Sequence, residues 1–166
     1  MTSQVKLPTS RPSLFDPRGH GFPLTLERNW LDAPQILGNQ MGEKDMLDAQ
    51  TLADRYVDVW NERDDESRRV AIAALWVPDG QHYVEGREAR GYEALEKRIR
   101  GSHEKNVRDD GNRFCAAKDV RRLRDVVTFH WEMLPADSET VLATGREFLI
   151  IADDGRVLAD YQFFPA

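Results

Sequence analysis

The strongest constraint on this chain lies in its last forty or so residues. Three strand-like runs, at 125–134, 141–152 and 156–164, follow one another and are rich in β-branched and aromatic side chains. Asp153-Asp154-Gly155 sits between the last two, which is the pattern of a tight hairpin turn. Two acidic residues interrupt this apolar stretch, Glu147 in the second run and Asp160 in the third. An ionised carboxylate is costly against a dry core, so each must face water, hold a partner or work in a pocket.

Upstream, the pattern is helical. Leu52, Ala53, Tyr56 and Trp60 are spaced as one face of an amphipathic helix that begins with Asp45 as N-cap and stops near 61–64. A second helix places Val70, Ala71, Ala74 and Leu75 on its buried side and is broken by Pro78-Asp79-Gly80. A short strand at 81–85 and a third helix at 92–103, with Leu95 and Ile99 inward, come next. Residues 113–120 read as one further strand after the Asp109-Asp110-Gly111-Asn112 turn. Helices followed by a long antiparallel meander define an α+β domain over 45–166. Residues 1–44 differ: Pro8, Pro12, Pro17, Pro23 and Pro34 exclude one regular element, yet Phe15, Phe22, Leu26 and Trp30 are too apolar for a plain tail. They predict an arm lying across the domain or across a partner subunit.

At 166 residues the chain is long enough for a real core. Its net charge of −6 argues against general nucleic-acid binding. Basic residues cluster at Arg121-Arg122-Leu123-Arg124 and from Arg87 to Arg108, but acidic residues are interspersed, which predicts solvated faces. Cys115 is the single cysteine, so no internal disulfide forms, and its apolar neighbours predict a small buried hydrophobe. No apolar run approaches the roughly 18 residues of a membrane span, and the first residues lack the order of a signal peptide, so the expected compartment is the cytoplasm. The four histidines show neither His-x-His nor His-x-x-x-His spacing, and no Gly-rich phosphate loop follows a strand; neither a metal nor a nucleotide cofactor is expected.

Several segments together carry a resemblance: Ala53-Asp54-Arg55-Tyr56-Val57-Asp58-Val59-Trp60-Asn61, Leu75-Trp76-Val77-Pro78-Asp79-Gly80, the strand at 126–133, Gly145-Arg146-Glu147-Phe148, and Asp153-Asp154-Gly155-Arg156-Val157. In order and spacing they resemble the SnoaL-like branch of the nuclear transport factor 2-like (NTF2-like) superfamily over roughly 47–165. The resemblance implies a cone-shaped α+β barrel, with a curved, mostly antiparallel sheet wrapped around N-terminal helices and enclosing a pocket. That superfamily holds isomerases, polyketide cyclases, hydrolases and dehydratases, and also modules without chemistry, so fold does not fix function. It further implies a homodimer joined through the outer sheet face, here the face with Thr128, His130 and Glu132.

By resemblance to ketosteroid isomerase, Glu147 and Tyr56 occupy the two oxyanion-hole positions, while Val84 replaces the general base. Strand alternation then turns His82, Val84, Phe129, Trp131, Met133, Gly145, Leu149, Asp160, Gln162 and Phe164 inward, with Trp60 closing one wall. Glu147, Asp160, His82 and Tyr56 are the candidate catalytic residues. Trp60, Val84, Phe129, Trp131, Met133, Leu149, Gln162 and Phe164 are the candidate substrate contacts. Each acidic residue retains an alternative: an outer-face ion pair for Glu147, a salt bridge at the sheet's end for Asp160. His82 is either a proton shuttle or a polar wall residue, and Tyr56 either an oxyanion donor or core. The leading expectation is a cofactor-independent enzyme that moves protons on a small hydrophobic molecule. A non-catalytic binding module and a dimeric assembly domain are the alternatives.

Overall fold

The computed structural model describes residues 43–165. The expected N-terminal arm lies outside them, apart from the two positions that open the first helix. Helix α1 (Glu43–Asn61) starts two residues ahead of Asp45, which is therefore inside the helix and not its cap. Ala49, Leu52, Ala53, Tyr56, Val57 and Trp60 recur at three- and four-residue intervals and form its buried stripe. At its end the Asn61 amide donates to the Phe114 carbonyl and accepts from the Phe114 N–H, both at 2.8 Å, which ties the helix to the sheet.

Helix α2 (Asp65–Leu75) is capped by Asp64, whose carboxylate accepts from the Ser67 N–H. Leu75 is buried and Ala71 packs against the core as expected, but Val70, 62% exposed, and Ala74 face solvent, and the buried face takes in Arg68 and Ile72 instead. The Arg68 stem packs inward while its guanidinium bonds the Glu62 carbonyl at 2.7 Å and the Asp65 carboxylate, so a residue read as polar surface is buried.

Strand β1 (Trp76–Val84) is longer than the strand expected at 81–85, because Pro78-Asp79-Gly80 forms a bulge within it. A Cβ at Gly80 would lie 3.0 Å from Trp76 Cβ and Cδ1, so glycine lets the bulge fold onto that indole. β1 turns through Glu85, in left-handed backbone at φ 50°, into β2 (Arg87–Arg90), which the sequence reading missed. Helix α3 (Gly91–Ser102) buries Leu95 and Ile99 as expected and continues as a π-helical segment, His103–Asp109. Of the run expected at 113–120 only 113–116 is strand, within β3 (Asn112–Ala116), and a separate short strand that was not expected, β4 (Arg121–Leu123), follows it. β3 is an edge strand whose outward side is uncovered, so Cys115 is half-buried and not fully buried. β5 (Val126–Pro135), β6 (Ala143–Ile151) and β7 (Val157–Phe163) are the three C-terminal runs; β5 is shifted by one residue to take in Pro135, and the other two are trimmed at both ends. Gly155, at φ 83°, makes the hairpin turn between the last two.

The sheet runs β2-β1-β7-β6-β5-β3, with β4 pairing beside β3 on β5. Every pair is antiparallel except β1 with β7, which is parallel and joins the first strand to the last. The sheet packs its inner face on the helices and forms a cone-shaped α+β fold.

Candidate active site

The sheet register sets inward side chains in rows. One row runs His82, Asp160, Leu149, Val127, and the next runs Val84, Gln162, Glu147, Phe129. Beyond them Trp131 pairs with Gly145. Both acidic residues therefore face the interior: Glu147 is 1% and Asp160 0% exposed. Glu147 takes no outer-face ion pair, and Asp160 has a partner, His82, but inside the fold.

Asp160 lies beneath the site with both carboxylate oxygens engaged. His82 Nδ1 bonds Oδ1, and the Trp76 indole N–H donates to Oδ2 at 3.2 Å. These contacts fix the carboxylate and orient the imidazole, so that His82 Nε2 is its free ring atom. His82 lines a cavity of about 760 Å³, whereas Asp160 does not. Trp60 packs its ring 5.4 Å from the imidazole.

Tyr56, on α1, is wedged between Trp76 and Phe129, with ring centroids 5.4 and 5.6 Å away. Burial first, then the charges of Asp160 and Glu147, push its hydroxyl well above the ordinary tyrosine range, so it stays a donor. Burial and then the Asp160 charge likewise push the Glu147 carboxyl well above the usual carboxylate range. The nearby Trp131 indole and Tyr56 hydroxyl, and the Arg98 charge, oppose that rise without reversing it.

Five buried polar atoms on cavity-lining residues have no hydrogen-bond partner among the described residues: His82 Nε2, the Tyr56 hydroxyl, Trp60 Nε1, Arg98 Nε and Glu147 Oε2. One such atom costs on the order of 1–3 kcal/mol. Five on the residues of one cavity are an unmet demand for hydrogen bonds that suits a polar part of a small molecule.

Of the expected substrate contacts, Trp60, Trp131, Met133, Gln162 and Phe164 line the cavity, with Phe164 half-exposed at its edge. Val84, Phe129 and Leu149 do not; they are fully buried beneath it as core. Trp76, which reads from the sequence as core or pocket wall, is core, but the bond from its indole to Asp160 was missed, as was one whole wall. Lys97, Arg98, Ser102, Lys105 and Asn106 line the cavity from α3 and the π-helical segment. Their signal is in the sequence as a polar stripe flanking Leu95 and Ile99, but it reads as solvated surface until the fold folds it over the cup. Among the described residues no group of three or more His, Cys, Asp or Glu stands together as a metal-holding set, and no helix is long and apolar enough to cross a membrane.

Gly145 shapes this wall by what it lacks. A Cβ there would fall 2.6 Å from Trp131 Cζ2. Gly145→Ala is expected to push the indole into the cavity and destabilise the fold by about 1–3 kcal/mol, read from denaturant unfolding; an unchanged midpoint would show that the indole has room to retreat.

No family model and no curated protein sequence matches this chain. Solved structures do. A SnoaL-like family protein from Agrobacterium tumefaciens, named for a proposed isomerase activity, superposes with a TM-score of 0.65 at 22% identity, covering 72% of this chain and 99% of its own. A protein from Sinorhizobium meliloti, named for a proposed polyketide cyclase activity, gives 0.54 at 14% identity, over 70% and 97%. An NTF2-like protein of unknown function from Exiguobacterium gives 0.53 at 18%, over 69% and 98%. The fold is that of SnoaL-like, NTF2-like proteins, as the sequence resemblance implied.

Proposed function

We propose that this protein is an enzyme that moves protons on a small, largely apolar molecule carrying a carbonyl group. The observation behind this reading is the free His82 Nε2, held at the cavity by the buried Asp160 and accompanied there by Tyr56 and by Glu147, whose carboxyl burial pushes towards its neutral, donating form. His82 Nε2 takes a proton from the carbon next to the carbonyl. The electron pair moves onto the carbonyl oxygen, where hydrogen bonds from Tyr56 and Glu147 stabilise the developing charge. The imidazolium then returns the proton, to a second carbon in an isomerisation or to a departing hydroxyl in a dehydration. These steps lie within reach of the side chains alone. The names of the two SnoaL-like and cyclase neighbours belong to the same broad range of chemistry.

The test is proton exchange. A panel of apolar ketones and enones is incubated with the protein in D₂O and followed by NMR. Deuterium is expected to enter the carbon next to the carbonyl with the wild type, and this exchange is lost in His82→Gln. Exchange that survives in His82→Gln refutes His82 as the base. No exchange on any member of the panel leaves a binding module as the better reading.

We propose, as a second point, that two copies pair through the outer sheet face. Tyr83 stacks on Tyr161 with centroids 5.0 Å apart, and Phe148 meets Phe163 edge-on, yet Phe163 is 57% exposed. So much aromatic surface in one stripe is typical of a covered face. Sedimentation velocity is expected to show a dimer for the wild type and a monomer for Phe163→Glu; a wild-type monomer at micromolar concentration would overturn the pairing.

A further inference from the structure

The cavity combines two unlike walls. On one side Phe114, Trp131, Met133 and Phe164 are apolar. On the other, Arg87, Lys97, Arg98 and Lys105 bring four cations, against the two carboxyls of Glu88 and Glu147. The cavity thus carries a positive surplus inside a protein whose net charge is −6. Such a concentration of one sign, in a cleft with low-dielectric walls, draws ligands of the opposite charge.

Arg98 is the centre of this wall. Its guanidinium lies 5.0 Å above the Trp60 ring, beside the buried histidine, and its Nε is buried without a partner. Other arginines of the domain have carboxylates within reach: Arg68 has Asp65, Arg113 has Glu139 and Arg156 has Asp154. Among the described residues Arg98 has none within salt-bridge distance. A part-buried guanidinium with no carboxylate within salt-bridge distance is costly, and the more distant charges of Asp160 and Glu147 and stacking on indole only partly compensate it. Its planar fork matches a carboxylate with two parallel hydrogen bonds.

We propose that the substrate pairs its apolar body with a carboxylate, and that Arg98 receives that carboxylate while Lys97 and Lys105 attract it at the mouth. This rests on the reading of the cavity as a small-molecule site and adds the substrate's class: an apolar keto acid or a relative of one. The arrangement also orients the ligand. A carboxylate anchored on Arg98 places the rest of the molecule between Trp60 and Trp131, with the polar atoms of His82, Tyr56 and Glu147 beneath it.

Binding is measured by isothermal titration calorimetry with three probes of one shape: 2-naphthoate, its neutral amide 2-naphthamide, and the cation 2-naphthylmethylammonium. The wild type is expected to bind 2-naphthoate at least about tenfold tighter than the amide, equivalent to about 1.4 kcal/mol, and to bind the cation weakest. Raising the salt concentration should narrow the gap. Arg98→Met should reduce it below about twofold while the amide's affinity holds, which shows that the cavity is intact. Arg98→Lys should keep part of the preference, and Lys97→Met and Lys105→Met should lose less of it than Arg98→Met. Equal affinity for acid and amide, a preference that survives in Arg98→Met, or failure of all three probes to bind overturns the proposal. Set beside the proton-exchange experiment, the titrations separate the two readings. A carboxylate preference without any proton exchange sinks the catalytic reading and leaves this one standing. Exchange of neutral ketones without a carboxylate preference does the reverse.

Discussion

Asp160→Asn is expected to lower turnover by about 10²–10⁴-fold with little change in KM, even though Asp160 is absent from the cavity wall. Asp160 is a positioning residue. Its carboxylate holds the His82 Nδ1 proton and thereby leaves the Nε2 lone pair facing the substrate. An asparagine keeps the volume and one acceptor, but its amide can also turn and donate to Nδ1, which moves the ring proton to the wrong nitrogen. His82→Ala should be at least as damaging, and free imidazole in the buffer should restore part of the activity by filling the space the side chain left. The two variants separate the two bases that the sequence left open. If Asp160 were itself the base, imidazole would not rescue His82→Ala. An Asp160→Asn protein with more than about a tenth of the wild-type rate would end the orienting role.

The reason the sequence could not choose between those bases is a matter of distance along the chain. His82 and Asp160 are 78 residues apart, and they meet because β1 and β7 pair in parallel across the sheet. Nothing local to either strand signals that pairing. What alternation does reveal is parity. Glu147, Leu149, Phe129, Trp131 and Gln162 all face inward because a strand with one dry face allows no other phase. Depth along the cone is a separate quantity, and alternation is blind to it. Val84, Phe129 and Leu149 share the inward parity yet lie below the cavity floor, as core.

The helices failed in a related way. In α2 Leu75 and Ala71 were legible, but Val70 and Ala74 face solvent and Arg68, whose guanidinium has two oxygen partners, is buried in their place. In α3 the buried pair Leu95 and Ile99 was legible, whereas Lys97 and Arg98 beside it looked like ordinary surface. A charged residue flanking a buried stripe faces either bulk water or a cavity, and only the neighbouring sheet decides which. That is why the cationic wall, which carries the substrate-class inference, had to come from the fold.

Glu147→Gln is expected to stabilise the protein at neutral pH, and the gain should grow with pH. The sign follows from linkage. Burial and the Asp160 charge raise the folded-state pKa of Glu147 above its unfolded value near 4.5. Between those two values the unfolded chain releases a proton that the folded chain keeps, so rising pH favours unfolding. The stability associated with the neutral carboxyl is fully present below the unfolded value and is lost progressively as pH rises towards the folded one. Within that window the loss approaches about 1.4 kcal/mol per pH unit, a change of several degrees in Tm for a domain of this size. Glutamine retains the shape and cannot ionise, so the variant lacks this slope. The difference between wild type and variant also cancels the other titrating groups, including His103, whose pKa burial lowers in the opposite sense. Denaturant midpoints of both proteins from pH 5 to pH 8 test the point directly. Parallel curves would mean that Glu147 is ionised in the folded state, and the neutral donor assigned to the oxyanion would have to be withdrawn; diverging curves, coupled with lost proton exchange in the same variant, tie the energetic cost of burying this acid to the chemistry it performs.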